Sequence, residues 1–243
     1  MRKINLFEKS HPKIKRKIEP GWRKEENKII AKRYDKEFFD GERVNGYGGY
    51  YYDGRWRHVV ELMKKLYDLD KESAVLDIGC AKGFLLFDLQ DMVSGIKVAG
   101  LDISEYALNH AMDGYAKYKI KEGVKKETSK GLEEKARRDI LPFMIKGSAD
   151  ELPWPDKSFD VVLAINTLHN LPEERCRRAI KEMLRVGRNP KKMFVQVDAY
   201  SSPEEKEIMK NWVLTGETMM HVDDWIKFFK NSGYEGDYFW TII

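Results

Sequence analysis

Short apolar runs alternate with helical stretches from residue 74 onward, and this alternation is the feature that most constrains the fold. Strands are predicted at 74–78, 97–102, 143–146, 159–165, 192–199 and 237–243, and helices at 84–91, 105–118, 175–185 and 223–231. Alternating strands and helices favour a parallel sheet that is covered by helices on both faces. Because crossovers are right-handed, a doubly wound, mostly parallel α/β sheet is the expected architecture.

The first 56 residues lack this alternation, and we expect residues 1–56 to form a helical extension to a main domain of residues 57–243. Apolar residues spaced for one buried stripe predict a helix over 20–39. A loop rich in tyrosine and glycine follows, and a helix over 57–67 begins the main domain. The charged segment 121–138 is expected to be a helical or mobile insertion, and the sequence does not decide which.

Positive charge is concentrated in the extension. Between Arg2 and Lys36 there are 13 Lys and Arg residues against 5 Asp and Glu, a net charge of +8, whereas the whole chain carries +4. Such a basic arm suits a polyanion such as nucleic acid, or it is the solvated face of a helix. We favour the solvated face and keep the nucleic-acid interpretation open.

Several protein classes are disfavoured by the 243-residue sequence. Its uncharged apolar runs are far shorter than the roughly 20 residues that span a bilayer, so we expect no membrane span. The amino-terminal residues lack the apolar segment of a signal peptide, and two cysteines cannot build a disulfide framework. No Cys and His residues have zinc-binding spacing. We therefore expect a reduced, cytoplasmic protein without a metal site.

The turn after the first predicted strand carries the strongest functional signal. Gly79, Ala81 and Gly83 are small enough for a ligand to lie against bare backbone. Asp77, inside an apolar strand end, is costly to bury unless a cationic or hydrogen-bonding group meets it. Asp102 ends the second strand, where a carboxylate can accept hydrogen bonds from ribose hydroxyls.

These residues favour a nucleoside ligand without phosphates. A dinucleotide-binding fingerprint would need a small residue where this chain has Phe84. A carboxylate two residues before the first glycine suits an ammonium or sulfonium group better than a pyrophosphate. S-adenosylmethionine has a ribose for Asp102 and an ammonium-bearing tail for the region of Asp77. A nicotinamide-dependent dehydrogenase is correspondingly disfavoured.

Three segments resemble, in the expected order, the motifs of class I S-adenosylmethionine-dependent methyltransferases, in the small-molecule branch with the ubiquinone and sterol methyltransferases. Segments 75–84 and 98–104 are similar to the first and second motifs, and 147–163 is similar to the segment that wraps the adenine. The resemblance implies a Rossmann-like fold with S-adenosylmethionine, and its product S-adenosylhomocysteine, at the carboxyl ends of the first, second and fourth strands. The implied cofactor contacts are Asp77, Gly79, Cys80, Ala81, Gly83, Phe84, Asp102, Ile103, Ser148, Ala149, Asp150 and Asn166.

Two positions depart from the pattern of the resembling family. The middle glycine of the first motif is Ala81 here, and its methyl group narrows the approach to the methionine moiety. The acidic residue that usually precedes Ala149 is Ser148 here. We therefore expect Ser148 or Asp150 to hold the adenine amine.

The acceptor is expected to be a small molecule methylated on an O, N or C atom that the sequence does not specify. In the resembling family the residues after the fourth strand lie beside the sulfonium, which makes His169 a candidate general base; a packed or helix-capping histidine is the alternative. Adenine and glutamine methylation is disfavoured because the Asn/Asp-Pro-Pro-aromatic sequence is missing. Cytosine C5 methylation is disfavoured because neither Cys80 nor Cys176 is placed for attack.

The tyrosine-rich loop and the segment 200–218 are the predicted walls of the acceptor pocket. Tyr47, Tyr50 and Tyr51 are expected to fold over the cofactor and exclude water, or else to pack against the core. Trp212 is the candidate from the second segment. Arg55 suggests an anionic acceptor, because guanidinium binds carboxylate and phosphate.

Two other functions stay open at this stage. An RNA or protein methyltransferase would use the basic arm to hold a polymer. A non-catalytic protein would bind the cofactor without transferring its methyl group, although the combination of Asp77, Gly79, Gly83 and Asp102 argues against it. The acceptor's identity and the oligomeric state are not decided by the sequence.

Overall fold

A computed structural model describes residues 1–10, 21–129 and 131–241. The strands of this part of the chain are β1 (Ala74–Ile78), β2 (Lys97–Asp102), β3 (Met144–Lys146), β4 (Val161–Ile165), β5 (Met193–Tyr200), β6 (Met220–His221) and β7 (Asp237–Thr241). Their spatial order is β3-β2-β1-β4-β5-β6, with β7 also paired to β5, and every registered pair is parallel. The predicted doubly wound parallel sheet is confirmed.

Helices cover the sheet and form the extension. They are α1 (Glu25–Ala31), α2 (Lys36–Phe39), α3 (Trp56–Tyr67), α4 (Phe84–Met92), α5 (Glu105–Asn109), α6 (Tyr115–Lys121), α7 (Lys126–Ser129), α8 (Leu132–Ile140), α9 (Glu173–Val186), α10 (Pro203–Trp212) and α11 (Val222–Asn231). Short 3₁₀ turns occupy Leu141–Phe143 and Leu168–Asn170. Among the described residues, none of the helices combines the length and apolar composition that crossing a membrane requires.

The core lies on both faces of the sheet, because its central strands are chiefly apolar. Every residue of β1 and of β4 is buried. Val75 and Leu163 belong to an apolar cluster shared with α3 and α4, whereas Leu76 and Ala164 belong to a second cluster shared with α9 and α11. Successive residues of a strand face opposite sides, so this arrangement follows directly from the strand period of two.

Two predicted helices are wrong in their extent. The helix predicted over 20–39 is replaced, within the described residues, by the short helices α1 and α2, because Tyr34 between them has a left-handed backbone with φ of 50°. The Tyr34 carbonyl accepts a 2.5 Å hydrogen bond from Ser104 Oγ, a contact that fixes this break. The helix predicted over 105–118 is likewise divided into α5 and α6, with a left-handed Met112 (φ 61°) between them.

Other element bounds differ by a few residues. The strands predicted from 143 and 159 begin at Met144 and Val161, and the charged insertion contains α7 and most of α8. Helix α10 lacks a counterpart in the sequence prediction, although Ser202 caps it and Pro203 begins it. Residues 11–20 of the basic arm, Lys130 and the predicted strand residues 242–243 lie outside the described residues.

The amino-terminal residues lie along β7. The N–H of Ile4 donates to the carbonyl of Tyr238 at 2.9 Å, and the Arg2 guanidinium donates two 2.8 Å hydrogen bonds to Asp237. Asp237 also accepts a 3.1 Å hydrogen bond from the hydroxyl of Tyr67. The described part of the extension therefore packs on the main domain, and the domain division at residue 56 stays a prediction.

Candidate active site

A cavity of about 1370 Å³ opens at the carboxyl ends of β1, β2, β4 and β5, where open α/β sheets bind their ligands. Most of the residues predicted for the cofactor and acceptor line it. They are Asp77, Gly79, Cys80, Ala81, Phe84, Asp102, Ile103, Ser148, Ala149, Asn166 and His169 from the sheet side, with Tyr47, Tyr50, Tyr51, Arg55 and Trp212 opposite. Gly83 and Asp150 lie outside this lining, so the structure gives them supporting positions instead.

The turn between β1 and α4 has the bare backbone that its sequence predicts. Gly79, Ala81 and Gly83 all have left-handed φ values, of 81°, 47° and 73°. A Cβ on Gly79 would lie 2.0 Å from Thr167 Oγ1, and one on Gly83 would lie 2.6 Å from Met144 Sδ. Glycine is thus required at 79 by both conformation and space, and Gly83 forms the N-cap of α4.

Asp77 is a buried carboxylate at the cavity wall. It is 5% exposed, and the described residues offer it no hydrogen bond or ion pair. Burial, and then the nearby charge of Asp102, raise the pKa of Asp77 to about 7. A carboxylate in this state is stabilised by a cation, so this end of the cavity suits an ammonium group.

Asp102 is held rigidly at the end of β2. Its Oδ2 accepts the N–H of Ala81 at 2.7 Å and its Oδ1 accepts the N–H of Ser104 at 2.8 Å. Burial raises the pKa of Asp102, and these backbone hydrogen bonds oppose that rise. Each carboxylate oxygen keeps a second lone pair, which is what two neighbouring hydroxyls of a ribose require. Ile103 beside it is 52% exposed and offers the cavity an apolar face.

The two residues predicted for the adenine amine belong to one network, in which Arg175 Nη2 donates to Ser148 Oγ at 2.9 Å. Asp150 is bound by the guanidinium groups of Arg175 (2.7 and 2.9 Å) and Arg178 (2.9 Å), and Ser148 Oγ donates to it at 2.5 Å. The hydrogen bond from Arg175 is the largest of the influences that hold the pKa of Asp150 well below its usual range. Asp150 is therefore a structural anchor, and Ser148 is the one of the two that lines the cavity.

A polar network around the predicted contact Asn166 joins the ends of β4, β5 and β7, and of its members the sequence analysis missed Gln196 and Thr241. Thr241 Oγ1 donates to Asn166 Oδ1 and accepts from Gln196 Nε2, both at 3.0 Å. Asn170 Nδ2 donates to the carbonyl of Asn166 at 3.1 Å, and Thr215 Oγ1 donates to Asn170 Oδ1 at 2.8 Å. Gln196 lies in β5, in the carboxyl-terminal half of the strand predicted over 192–199, and the carboxyl ends of parallel strands meet at one edge of the sheet. Its place in the predicted strand could therefore have identified it as a site residue.

His169 is buried against Asp198, another residue that the sequence analysis missed. Its Nδ1 accepts the backbone N–H of Asp198 at 3.2 Å, and its Nε2 lies 3.3 Å from Asp198 Oδ2. A neutral imidazole accepts through one nitrogen and donates through the other, so this geometry sets the proton on Nε2. The Nδ1 lone pair is occupied by the Asp198 N–H, so the predicted base role of His169 has no free lone pair in this arrangement.

Several residues of the segment 34–52, which we call the lid segment, line the cavity. The ring of Tyr50 stacks on Phe84 with centroids 5.1 Å apart, and Tyr47 packs 4.7 Å from Tyr50. Tyr47 and Tyr51 nevertheless leave 42% and 53% of their surfaces exposed and line the cavity. The tyrosines therefore both pack and border the space where a ligand would lie.

The two remaining predicted wall residues are already paired. Arg55 makes hydrogen bonds of 2.5 to 2.9 Å with the carboxylate of Asp53, so the guanidinium charge proposed for an anionic acceptor is compensated within the chain. The ring of Trp212 stacks on Trp22 at 5.7 Å, and the guanidinium of Arg23 lies 4.3 Å from its centroid. Trp212 thus joins α10 to residues 22 and 23 of the extension as well as lining the cavity.

Both cysteines are buried and unsuited to nucleophilic attack. The Cys176 thiol donates to the carbonyl of Leu168 at 2.7 Å, and burial raises its pKa to about 12. Burial also raises the pKa of the Cys80 thiol well above its usual value. A thiol is inert where its thiolate is disfavoured, so Cys176 has a structural place and Cys80 is part of the cavity wall.

The chain is similar in sequence to known methyltransferases. A family model described as a methyltransferase domain matches residues 76–195. Sterol 24-C-methyltransferase of Aspergillus fumigatus is 27% identical over 170 residues, 66% of this chain and 39% of that protein. The 27-O-demethylrifamycin SV methyltransferase of Amycolatopsis mediterranei is 31% identical over 99 residues, 41% of this chain and 29% of that protein. The matched stretch thus spans well under half of either relative.

The fold has a counterpart among solved structures. The YcgJ protein of Bacillus subtilis is 19% identical, superposes with a TM-score of 0.50, and is covered over 66% of its length by 71% of this chain. At this identity the likeness concerns the fold alone. The family match over residues 76–195 and the curated relatives show that the chain contains an S-adenosylmethionine-dependent methyltransferase domain.

Proposed function

We propose that the protein transfers a methyl group from S-adenosylmethionine to a small-molecule acceptor. The proposal rests on the positions of two buried acids. The Asp77 carboxylate has no partner in the described residues, and Asp102 lies on the other side of the bare backbone of residues 79–83. A ligand with an ammonium group near a ribose satisfies both carboxylates at once. Gly79 keeps the backbone open to it, because any side chain there would collide with Thr167.

The residues present fit this cofactor along its length. Asp77 would hold the ammonium, Asp102 the two ribose hydroxyls, and Ile103 with Ala149 would flank the adenine. Ser148 is the candidate for the adenine amine. When bound, the cofactor supplies an electrophilic methyl group on a sulfonium, and its S–CH₃ bond electrons remain on sulfur as the new bond to the acceptor forms.

The chain's own part in transfer is alignment and exclusion of water, which supply much of the rate of an in-line displacement. An acceptor that carries a proton must also lose it. Asp198 lines the cavity at the end of β5, with one carboxylate oxygen next to His169 Nε2. We infer that Asp198 takes this proton and that His169 orients its carboxylate.

A small acceptor fits the dimensions and the charge of the site. The cavity volume of about 1370 Å³ exceeds the roughly 300–1,000 Å³ of a typical single-ligand site, so two small molecules fit together. Two described cations of the basic arm are paired with acids outside it: Arg2 with Asp237 at 2.8 Å and Lys32 with Glu217 at 2.5 Å. These contacts favour the small molecule over an RNA acceptor.

Calorimetric titration with S-adenosylhomocysteine and, in parallel, NAD tests the cofactor. We expect binding of the first at a 1:1 ratio and none of the second, because Phe84 occupies the position of the third small residue that NAD requires. A screen of metabolite pools for methyl release then identifies the acceptor. Absence of S-adenosylhomocysteine binding, or binding of NAD alone, would overturn the proposed function.

A further inference from the structure

The turn at the candidate cofactor site contains a lysine that is completely buried. Lys82 lies between Ala81 and Gly83, and its side chain is 0% exposed. Its Nζ donates to Asp40 Oδ2 at 2.7 Å and to Asp113 Oδ2 at 3.1 Å. A lysine is almost never fully buried unless it is paired, so these two carboxylates account for its position.

Asp40 belongs to the lid segment and organises it. Its Oδ1 accepts the N–H of Tyr50 at 3.0 Å, and its Oδ2 accepts the hydroxyl of Tyr106 at 2.8 Å. Tyr50 is the residue whose ring stacks on Phe84, the first residue after the cofactor turn. The Asp40 carboxylate therefore connects two positions of the lid segment, 40 and 50, to Lys82 in the cofactor turn.

The two carboxylates that bind Lys82 differ in the number of cations around them. Asp113 has a second cation, because Arg137 Nη2 donates to its Oδ1 at 2.7 Å. In the described residues Asp40 has Lys82 as its cationic partner, and its side chain is 8% exposed. If the lid segment lifts away, Lys82 keeps Asp113 and the core stays neutralised, whereas Asp40 passes into water. The ion pair to Asp40 is thus the part of the cluster that can break without leaving a buried charge alone.

We propose that the Asp40–Lys82 ion pair is a latch that holds the lid segment closed over the cofactor turn, so that cofactor exchange requires this pair to open. Lys82 is then a positioning residue: it points away from the ligand space to the lid segment, yet it lies within the turn that binds the ligand. This inference rests on the proposed function for the identity of the ligand. The latch itself rests on the hydrogen bonds from Lys82 Nζ and from the N–H of Tyr50 to Asp40.

The variant Asp40→Asn tests the latch while keeping Lys82 paired with Asp113. We expect S-adenosylhomocysteine to dissociate faster by on the order of tenfold, equivalent to one charge-assisted hydrogen bond, in stopped-flow competition experiments. Amide hydrogen exchange should accelerate over residues 34–52 and stay unchanged in β4 and β5. The matched control is Asp35→Asn, which removes a carboxylate from the same segment at the N-cap of α2, where Asn caps equally well.

Two results would overturn the latch. One is a dissociation rate and an exchange pattern for Asp40→Asn equal to those of Asp35→Asn. The other is faster exchange throughout the sheet, which would mean that the ion pair serves general stability. Should the unchanged protein fail to bind S-adenosylhomocysteine, the proposed function fails, while the exchange pattern of Asp40→Asn still decides whether the lid segment is latched. The double variant Asp40→Asn with Lys82→Met, which removes both charges, should reproduce the fast exchange of the single variant.

Discussion

Both ring nitrogens of His169 face Asp198: Nδ1 accepts its backbone N–H at 3.2 Å, and Nε2 lies 3.3 Å from its carboxylate. A histidine in this position orients the acid beside it. The carboxylate, rather than the imidazole, is then the group able to accept a proton from a ligand in the cavity. The base role that the sequence suggested for His169 stays a prediction, and the geometry favours Asp198 for it.

Asp198→Asn keeps the size of the side chain and removes its charge. We expect turnover of the acceptor found by the methyl-release screen to fall on the order of a hundredfold, the contribution typical of a positioned proton acceptor, with S-adenosylhomocysteine affinity unchanged. His169→Asn, which retains an acceptor for the Asp198 N–H, should keep more of the turnover. The reverse order of the two variants in steady-state kinetics would return the base role to His169.

Asp77 makes the stability of the empty protein depend on pH. Its pKa of about 7 in the fold is above the ordinary value of 3.8, so between these values the native state holds a proton that the unfolded chain has released. The free energy of unfolding therefore falls as the pH rises from about 4 to 7, by up to about 4 kcal/mol from this group. Urea denaturation of Asp77→Asn should show a smaller loss over this range. Identical pH dependence in both proteins would contradict the pKa assignment.

The affinity for the cofactor also depends on the protonation of Asp77, but it rises with pH where the stability falls. The charged form of Asp77 is the form that attracts an ammonium group, so the affinity for S-adenosylhomocysteine should rise by roughly tenfold between pH 5.5 and 7. In Asp77→Asn the affinity should be lower and nearly independent of pH. Titration calorimetry at several pH values measures the affinities of both proteins. An affinity of the unchanged protein that does not vary with pH would mean that Asp77 does not bind the ammonium group.

Asp102→Asn should weaken S-adenosylhomocysteine binding by about 2 kcal/mol, because the ribose hydroxyls lose a charged acceptor. The asparagine keeps one acceptor oxygen for the N–H of Ala81 or that of Ser104 and loses the other, so urea denaturation of the variant accompanies the affinity measurement. Glu105→Gln is the matched control, since Glu105 pairs with Lys146 on the surface near Asp102. Equal affinities for the two variants in calorimetry would place the ribose elsewhere.

Ala81→Gly should stabilise the protein. Ala81 has a φ of 47°, a conformation that costs a residue with a Cβ roughly 1–2 kcal/mol and costs glycine much less. We expect the free energy of unfolding to rise by about 1 kcal/mol in urea denaturation. Ala107→Gly, inside helix α5, is the control and should lower it by a similar amount. A loss of stability in Ala81→Gly would show that the methyl group makes a contact worth more than the strain.

The lid segment illustrates where sequence reasoning stops. The spacing of apolar residues over 20–39 satisfies a helix period, yet the chain breaks at Tyr34, whose carbonyl is held by Ser104 from another element. Lys82 illustrates the same limit, since a lysine in a turn between Ala81 and Gly83 is expected to lie at the surface. Its burial depends on Asp40 and Asp113, which are remote in sequence.

The sequence by itself determined the strands β1 and β2, the bare turn between β1 and α4, and the two acids Asp77 and Asp102, because these features depend on local period and on conformations open to few residue types. Tertiary structure alone decided which polar groups meet. In the folded chain His169 lies against Asp198, and Arg55 is paired with Asp53. Asp150 is bound by Arg175 and Arg178, and Asp40 of the lid segment is bound by Lys82 of the cofactor turn. The physical reason is that a buried charge or hydrogen-bonding group is stable only with a partner, and the fold brings most of these partners together from distant parts of the chain.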